Sequence, residues 1–325
     1  MTWLFPIHAI LIRAIQLLRH FRCTFSDVAR HFPISWIGAV ALLLTASVAC
    51  DKLGLGGDKS PTAPSGPPAA GSPIVYTAVG ASDANGIGSS VPCVPFTDCP
   101  DGMGYVPVAA RQLKARGFTV TLTNLGIPTA VIGRDFETLG QQYNRTIVGN
   151  FIDHEMPFVP KNATIVTVFA GVNDAITVTA ALGAGAGGSD PAGYIDQQVK
   201  AFGADYATLL NGIRDRAPGA RIIVLNVPNV AGIPYFAGAP LSQRQAQQRA
   251  SVGFTTAGIN SLTPQGVTIV DLMCDPRAYL PSNYSADFHP NDSGYAFIAA
   301  EIVNAITSAA YPAPHSSCAQ MTLVP

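Results

Sequence analysis

Five short runs of apolar and β-branched residues recur along the chain: IVYTAV (74–79), FTVTLT (118–123), TIVTVF (164–169), RIIVLN (221–226) and VTIVDL (267–272). Each run is continuous rather than alternating, so a strand built from it must be covered on both faces. Longer segments of helical character separate them: 104–116, stopped by Gly117, and 192–216 are the clearest, with 241–260 and 294–309 behind them. Strands that alternate with helices in this way predict an α/β fold with a doubly wound parallel sheet of about five strands. In such a sheet, ligands bind beyond the carboxyl ends of the strands. Residues that carry chemistry are therefore expected just after the five runs.

The strand pattern begins only at residue 74. Upstream, residues 1–33 hold Arg13, Arg19, Arg22 and Arg30 against one acid, Asp27, and residues 34–49 (ISWIGAVALLLTASVA) carry no charge. An apolar run of that length is short for a membrane span and fits the core of an export signal. It ends in Ser47-Val48-Ala49-Cys50, which resembles a bacterial lipoprotein cleavage motif, with Ser47 where an aliphatic residue is usual. The expected organisation is a leader over 1–49, then a lipidated Cys50 on a Gly/Pro/Ser-rich tether to residue 73, then one domain over 74–325. An uncleaved anchor and a plain secretory signal are the alternatives. The domain would lie in the bacterial cell envelope, outside the cytoplasm, with the lipid bilayer as a partner.

Cysteine usage fits export. If Cys23 leaves with the leader and Cys50 takes lipid, then Cys93, Cys99, Cys274 and Cys318 remain, an even number for an oxidising compartment. Cys93 and Cys99 bracket VPFTD among prolines and read as a locally closed loop, which leaves Cys274 to pair with Cys318. A zinc site is the alternative, but neither spacing is CxxC and no histidine lies near Cys93 or Cys99. No metal and no cofactor are expected. A net charge of -1 argues against a nucleic-acid partner, which calls for a basic patch.

The segments after the runs hold Gly80-Ala81-Ser82-Asp83, Asn124-Leu125-Gly126, Gly171-Val172-Asn173-Asp174 and, after the fifth run, SADFHPNDSGY (285–295) with Asp287 and His289. A serine hydroxyl is a poor nucleophile at neutral pH and needs a base within hydrogen-bond reach. His289 is the natural base: His8, His20 and His31 lie in the leader, and His154 and His315 have no matching neighbours. The oxyanion formed in acyl transfer needs fixed donors. The N–H groups of Ser82 and Gly126 and the Asn173 side-chain amide are of the right kind, and Ser82 is expected to begin a helix. Plainer roles compete: Asn173 as a helix cap, Gly126 as a turn glycine, and His289 as an inert residue ahead of the last helix.

Ser82, Gly126, Asn173 and His289, in this order and with GVND and FHPND intact, resemble the SGNH (GDSL-type) hydrolases over about residues 74–310. The resemblance implies a three-layer α/β/α, flavodoxin-like sandwich that cleaves esters through an acyl-serine intermediate. It implies Ser82 as nucleophile, His289 as base, and Ser82, Gly126 and Asn173 as the oxyanion hole. Two positions depart from the family. Ala81 stands where an aspartate usually precedes the serine, and Ala286 stands where the family's orienting aspartate lies three residues before the histidine. Asp287, two before, is the expected orienter; a Ser–His dyad is the alternative.

The expected function is therefore an exported, membrane-tethered serine esterase acting on a carboxylic ester. A carbohydrate deacetylase or lysophospholipase on the same fold, and a binding lipoprotein without a working triad, are the alternatives. Asp174 is expected to bond behind Asn173, 183–193 to form a flap or rim, and 231–242 to wall the pocket. His154-Glu155 lacks the second histidine of a zinc-protease helix.

Overall fold

The computed structural model describes residues 66–97 and 99–325, so the leader, Cys50 and most of the tether lie outside the described residues. Strands β1 (Pro73–Gly80), β2 (Thr119–Asn124), β3 (Ile165–Phe169), β4 (Arg221–Leu225) and β5 (Thr268–Val270) form one parallel sheet in the order β2-β1-β3-β4-β5. Successive strand residues point to opposite faces and both faces are apolar. Val166 and Val168 enter the core on one side; Ile165 and Phe169 enter the core on the other.

Helices α1 (Tyr105–Ala115) and α7 (Asp292–Thr307) cover the second of these faces through Tyr105, Leu113, Tyr295 and Ile302. The first face is covered by α2 (Arg134–Gln142), α3 (Phe151–His154), α4 (Val172–Gly183), α5 (Pro191–Arg216) and α6 (Leu241–Gly253). The layers make an α/β/α sandwich, as the run pattern and the resemblance imply.

Several elements differ from the sequence reading. The fifth strand pairs over only three residues, Thr268–Val270, at the sheet edge. Beyond it the Asp271 carboxylate takes a hydrogen bond from Asn226 Nδ2 at 2.8 Å, and the chain turns away. The helix expected over 241–260 is α-helical only to Gly253 and then widens into a π-turn at Phe254–Ile259. The widening accompanies stacking of Phe254 on Phe202, ring centres 4.1 Å apart. Helices α2 and α4 carry weak local signals, one sparsely apolar and one with the β-branched run Ile176–Thr179 at its centre.

Ser82 does not begin a helix. Residues after β1 form consecutive turns, and the next helix starts at Tyr105. Gly86 (φ +70°) and Gly88 (φ +93°) take left-handed conformations that interrupt any helix here. A Cβ on Gly88 would lie 2.7 Å from both His289 Cβ and Pro290 O, so the glycine lets this turn approach the histidine loop.

Both expected disulfides form, Cys93–Cys99 and Cys274–Cys318. The second ties down a C-terminal strap. Asn229 Nδ2 donates to Gln320 O (2.8 Å), and the Gln248 amide exchanges bonds with Val324. Among the described residues no helix is long and apolar enough to cross a membrane.

Gly88→Ala should meet both the steric and the φ penalty, roughly 1–3 kcal/mol. Urea unfolding should show the loss, and an unchanged midpoint would refute the close-approach argument.

Candidate active site

The carboxyl end of β1 delivers Ser82, and the loop before α7 delivers His289. Ser82 Oγ lies 2.9 Å from His289 Nε2, and both residues are largely buried. Asp287 completes the chain: each carboxylate oxygen lies 3.0 Å from His289 Nδ1. The shorter spacing works because of a local turn. Asp287 Oδ1 accepts the His289 backbone N–H at 2.8 Å, the Asx-turn bond to the residue two ahead, and this folds the carboxylate back beside the ring. Ser285 Oγ donates to the same oxygen at 2.7 Å. Ser285 N–H also donates to His289 O at 2.9 Å and Tyr284 bridges Pro290, so the loop is pinched at its base. Partial burial pushes the Asp287 carboxyl up, but the bonds from Ser285, the His289 N–H and the ring outweigh it and hold it below its usual range.

Three donors were expected around Ser82. The Ser82 N–H meets no acceptor among the described residues. Asn173 sits inside the first turn of α4 rather than capping it, because Gly171 (φ +120°) is the capping residue. One Asn173 Nδ2 hydrogen goes to Ala130 O (3.1 Å), which aims the amide; the second remains. Arg145 Nη1 donates to Asn173 O at 2.7 Å and fixes the start of the helix.

Gly126 differs. Its N–H donates to Asn124 Oδ1 at 3.1 Å, a second Asx turn, while Asn124 Nδ2 donates to Ala84 O at 2.8 Å. Asn85 Nδ2 donates to Gly126 O at 2.8 Å. The serine turn and the loop after β2 are thus stitched by two asparagines, and a Cβ on residue 126 would lie 2.7 Å from Ala84 Cβ.

Three acids surround this framework. Glu155 is fully buried under the end of β1, where Gly80 N–H donates to its Oε2 at 2.9 Å, and burial pushes its carboxyl well above the usual range. Asp83 follows the serine, and burial raises its carboxyl while His289 pulls it back. The Tyr295 hydroxyl beside it donates to Ile87 O at 2.6 Å. Asp174 lies behind Asn173 as expected: its Oδ1 accepts Ile132 N–H at 2.9 Å, and burial pushes its carboxyl up to about 7. Sequence reasoning missed Asn85 and the roles of Asn124 and Glu155.

The remaining candidates lie elsewhere. His154 Nδ1 accepts Asn150 N–H at 3.1 Å, and His315 pairs with Asp271 at 2.9 Å beside the Cys274–Cys318 disulfide. Residues 184–190 link α4 to α5. Tyr235 and Phe236, in the expected pocket wall, pack on Phe288, which stacks on the His289 ring at 4.2 Å.

The GDSL-like Lipase/Acylhydrolase family matches residues 46–297, and the chain belongs to that family of ester-hydrolysing proteins. Among solved structures the fold is similar to a lipase from a goat rumen metagenome, with a TM-score of 0.50, 17% identity, and 72% of this chain and 98% of that chain covered. The extracellular lipase of Streptomyces rimosus is also similar, with a TM-score of 0.48, 16% identity, and coverage of 72% and 100%. A family two carbohydrate esterase from Clostridium thermocellum gives a TM-score of 0.42, 15% identity, and coverage of 72% and 63%. A comparison with curated proteins found no match.

The raised Asp174 carboxyl makes a pH prediction. Its ordinary value is 3.8 and its folded value about 7, so the folded chain holds a proton that the unfolded chain has lost between these limits. Stability should therefore fall as pH rises through that window, by at most about 1.4 kcal/mol per pH unit. Asp174→Asn should flatten this part of the profile in urea titrations; an unchanged slope would assign the effect to another group.

Proposed function

We propose that the protein is a serine ester hydrolase with Ser82 as nucleophile, His289 as base and Asp287 as orienter. The observation that carries this reading is the continuous chain from Ser82 Oγ through both ring nitrogens of His289 to Asp287. As Ser82 Oγ bonds to the ester carbonyl carbon, its proton passes to His289 Nε2, and the Asp287 carboxylate stabilises the imidazolium through Nδ1. Negative charge gathers on the former carbonyl oxygen. In this reading the Ser82 N–H and the second Asn173 amide hydrogen receive it, and Gly126 N–H joins by releasing Asn124 Oδ1. Collapse breaks the bond to the alcohol oxygen, which takes the proton from Nε2, and leaves an acyl-serine. Water then attacks with His289 again as base, releasing the carboxylic acid and restoring Ser82. The Asx turn that brings Asp287 to His289 supports this reading over a binding protein despite Ala286.

The reading extends to location: an exported enzyme of the bacterial cell envelope, tethered through lipid on Cys50. The charge-free run 34–49 ahead of Cys50 and the two disulfides support it.

A fluorophosphonate probe should label the wild-type chain and not Ser82→Ala; absence of labelling in folded wild type would overturn the serine assignment. Asn173→Ala should lower kcat by about 100- to 1,000-fold with little change in KM, as loss of one oxyanion donor does. Asp287→Asn should lower kcat by at least about a hundredfold, and a smaller loss would reduce the site to a dyad. In cells fed an alkynyl palmitate, Cys50→Ser should lose both the label and membrane association, and retention of both would refute the tether.

A further inference from the structure

We infer that the groove between α4 and α6 holds the acyl chain of the ester, making medium and long fatty-acyl esters the preferred substrates; this rests on the serine hydrolase reading above. The groove measures about 610 Å³ and is lined mainly by small and aliphatic side chains, among them Ile176, Ala180, Ile195 and Ala246. By contrast, the recess under the histidine loop, between Asp83, Tyr284 and Phe288, offers only about 30 Å³ of free space. That recess has room for little more than one water-sized group, so a long substituent must lie elsewhere.

Position ties the groove to Ser82 along two paths. The first is α4 itself. Asn173, Ile176, Ala180 and Gly183 fall on one helical face, and the last three line the groove, so the groove starts one turn beyond the oxyanion amide. The second is aromatic. Phe288 stacks on His289 and on Phe236 and lies beside Tyr235, and five residues after Phe236 the chain enters α6 at Leu241. Tyr235 and Leu241 are both more than half exposed, so this path carries apolar surface open to solvent.

Topology puts the groove on the catalytic side of the sheet. Helix α5 has 26 residues and is about 39 Å long, whereas the five-residue strands beside it span about 17 Å. Its amino-terminal end, which carries Ile195, therefore overshoots the strands at their carboxyl ends, where Ser82 lies. The lining also chooses the ligand class. Thr179, Ser242, Gln243, Gln245, Gln247 and Arg249 contribute polar groups, with Arg249 already paired to Asp196 at 2.8 Å, while the greater part of the exposed lining is apolar and contains no aromatic ring on which a sugar could stack. An alkyl chain satisfies the apolar majority of this lining, whereas a sugar ring would find no aromatic face to stack on.

The test is kcat/KM of the full chain on p-nitrophenyl acetate, butyrate, octanoate and laurate, for wild type, Ala180→Trp and Ala246→Trp. Ala180 and Ala246 are half-buried residues on the two opposing helices, so indole at either position fills the groove without touching the triad. Wild type should favour octanoate over acetate by at least about tenfold, through methylenes removed from water. Each variant, checked for a native melting temperature, should lose about tenfold or more on octanoate and laurate while keeping acetate turnover within about twofold. If one variant does not fold, the other, on the opposite wall, gives the same readout. Folded variants with the wild-type chain-length profile would overturn the groove assignment and leave the hydrolase reading intact. No wild-type turnover on any ester, with no fluorophosphonate labelling, would remove the hydrolase reading and the groove's role with it.

Discussion

The hydrogen bond between Ser82 Oγ and His289 Nε2 joins residues 207 positions apart, and the architecture follows from what that contact demands. Serine and histidine must meet within hydrogen-bond reach, so each needs a backbone that cannot drift. The serine stands two residues past the end of a strand that has neighbours on both sides, β2 and β3, and Glu155 holds the last strand amide from beneath. The histidine stands on a pinched loop anchored by Asn291. That residue caps α7 through Ser293 and Gly294 N–H and ties its own side chain to Ser282 O and Tyr284 O. Neither anchor touches the Ser82–His289 bond, yet both hold the backbones that set its length.

The same local device is used on both flanks of the serine. At Asp287 and at Asn124 a short side chain turns back to accept the N–H two residues ahead. In the first case the bond orients a carboxylate against an imidazole. In the second it occupies a backbone donor while the other end of the amide holds the serine turn. An Asx turn closes locally, so it shapes the chain where β2 ends at Asn124 and within the loop ahead of α7.

Much of this was legible in the sequence because parallel strands read as continuous apolar runs, and their carboxyl ends locate a site without any knowledge of packing. Ser82, Gly126, Asn173 and His289 were placed on that ground, and the cysteine pairing followed from even numbers and proximity. Asp287 was harder. Counting along extended backbone turns it away from the histidine, and only the Asx geometry brings it back. Glu155 carried no local signal: an acid after a histidine is commonplace, and its importance arises from β1 closing over it, 75 positions away in sequence. The helix expected at Ser82 failed for the converse reason. Gly86 and Gly88 were visible, but their left-handed conformations and their close approach to Gly104 and His289 are tertiary features that one-dimensional reading does not contain.

The docking of α7 against α1 has a consequence in time. The last helix of the domain packs on the first, and His289 lies just ahead of it. Contacts this distant in sequence form slowly, since a long loop must close before any of them is rewarded. Until that closure the serine turn has no histidine beside it. A chain still emerging, or only partly folded, therefore lacks the Ser82–His289–Asp287 chain of hydrogen bonds, which assembles only with the completed fold.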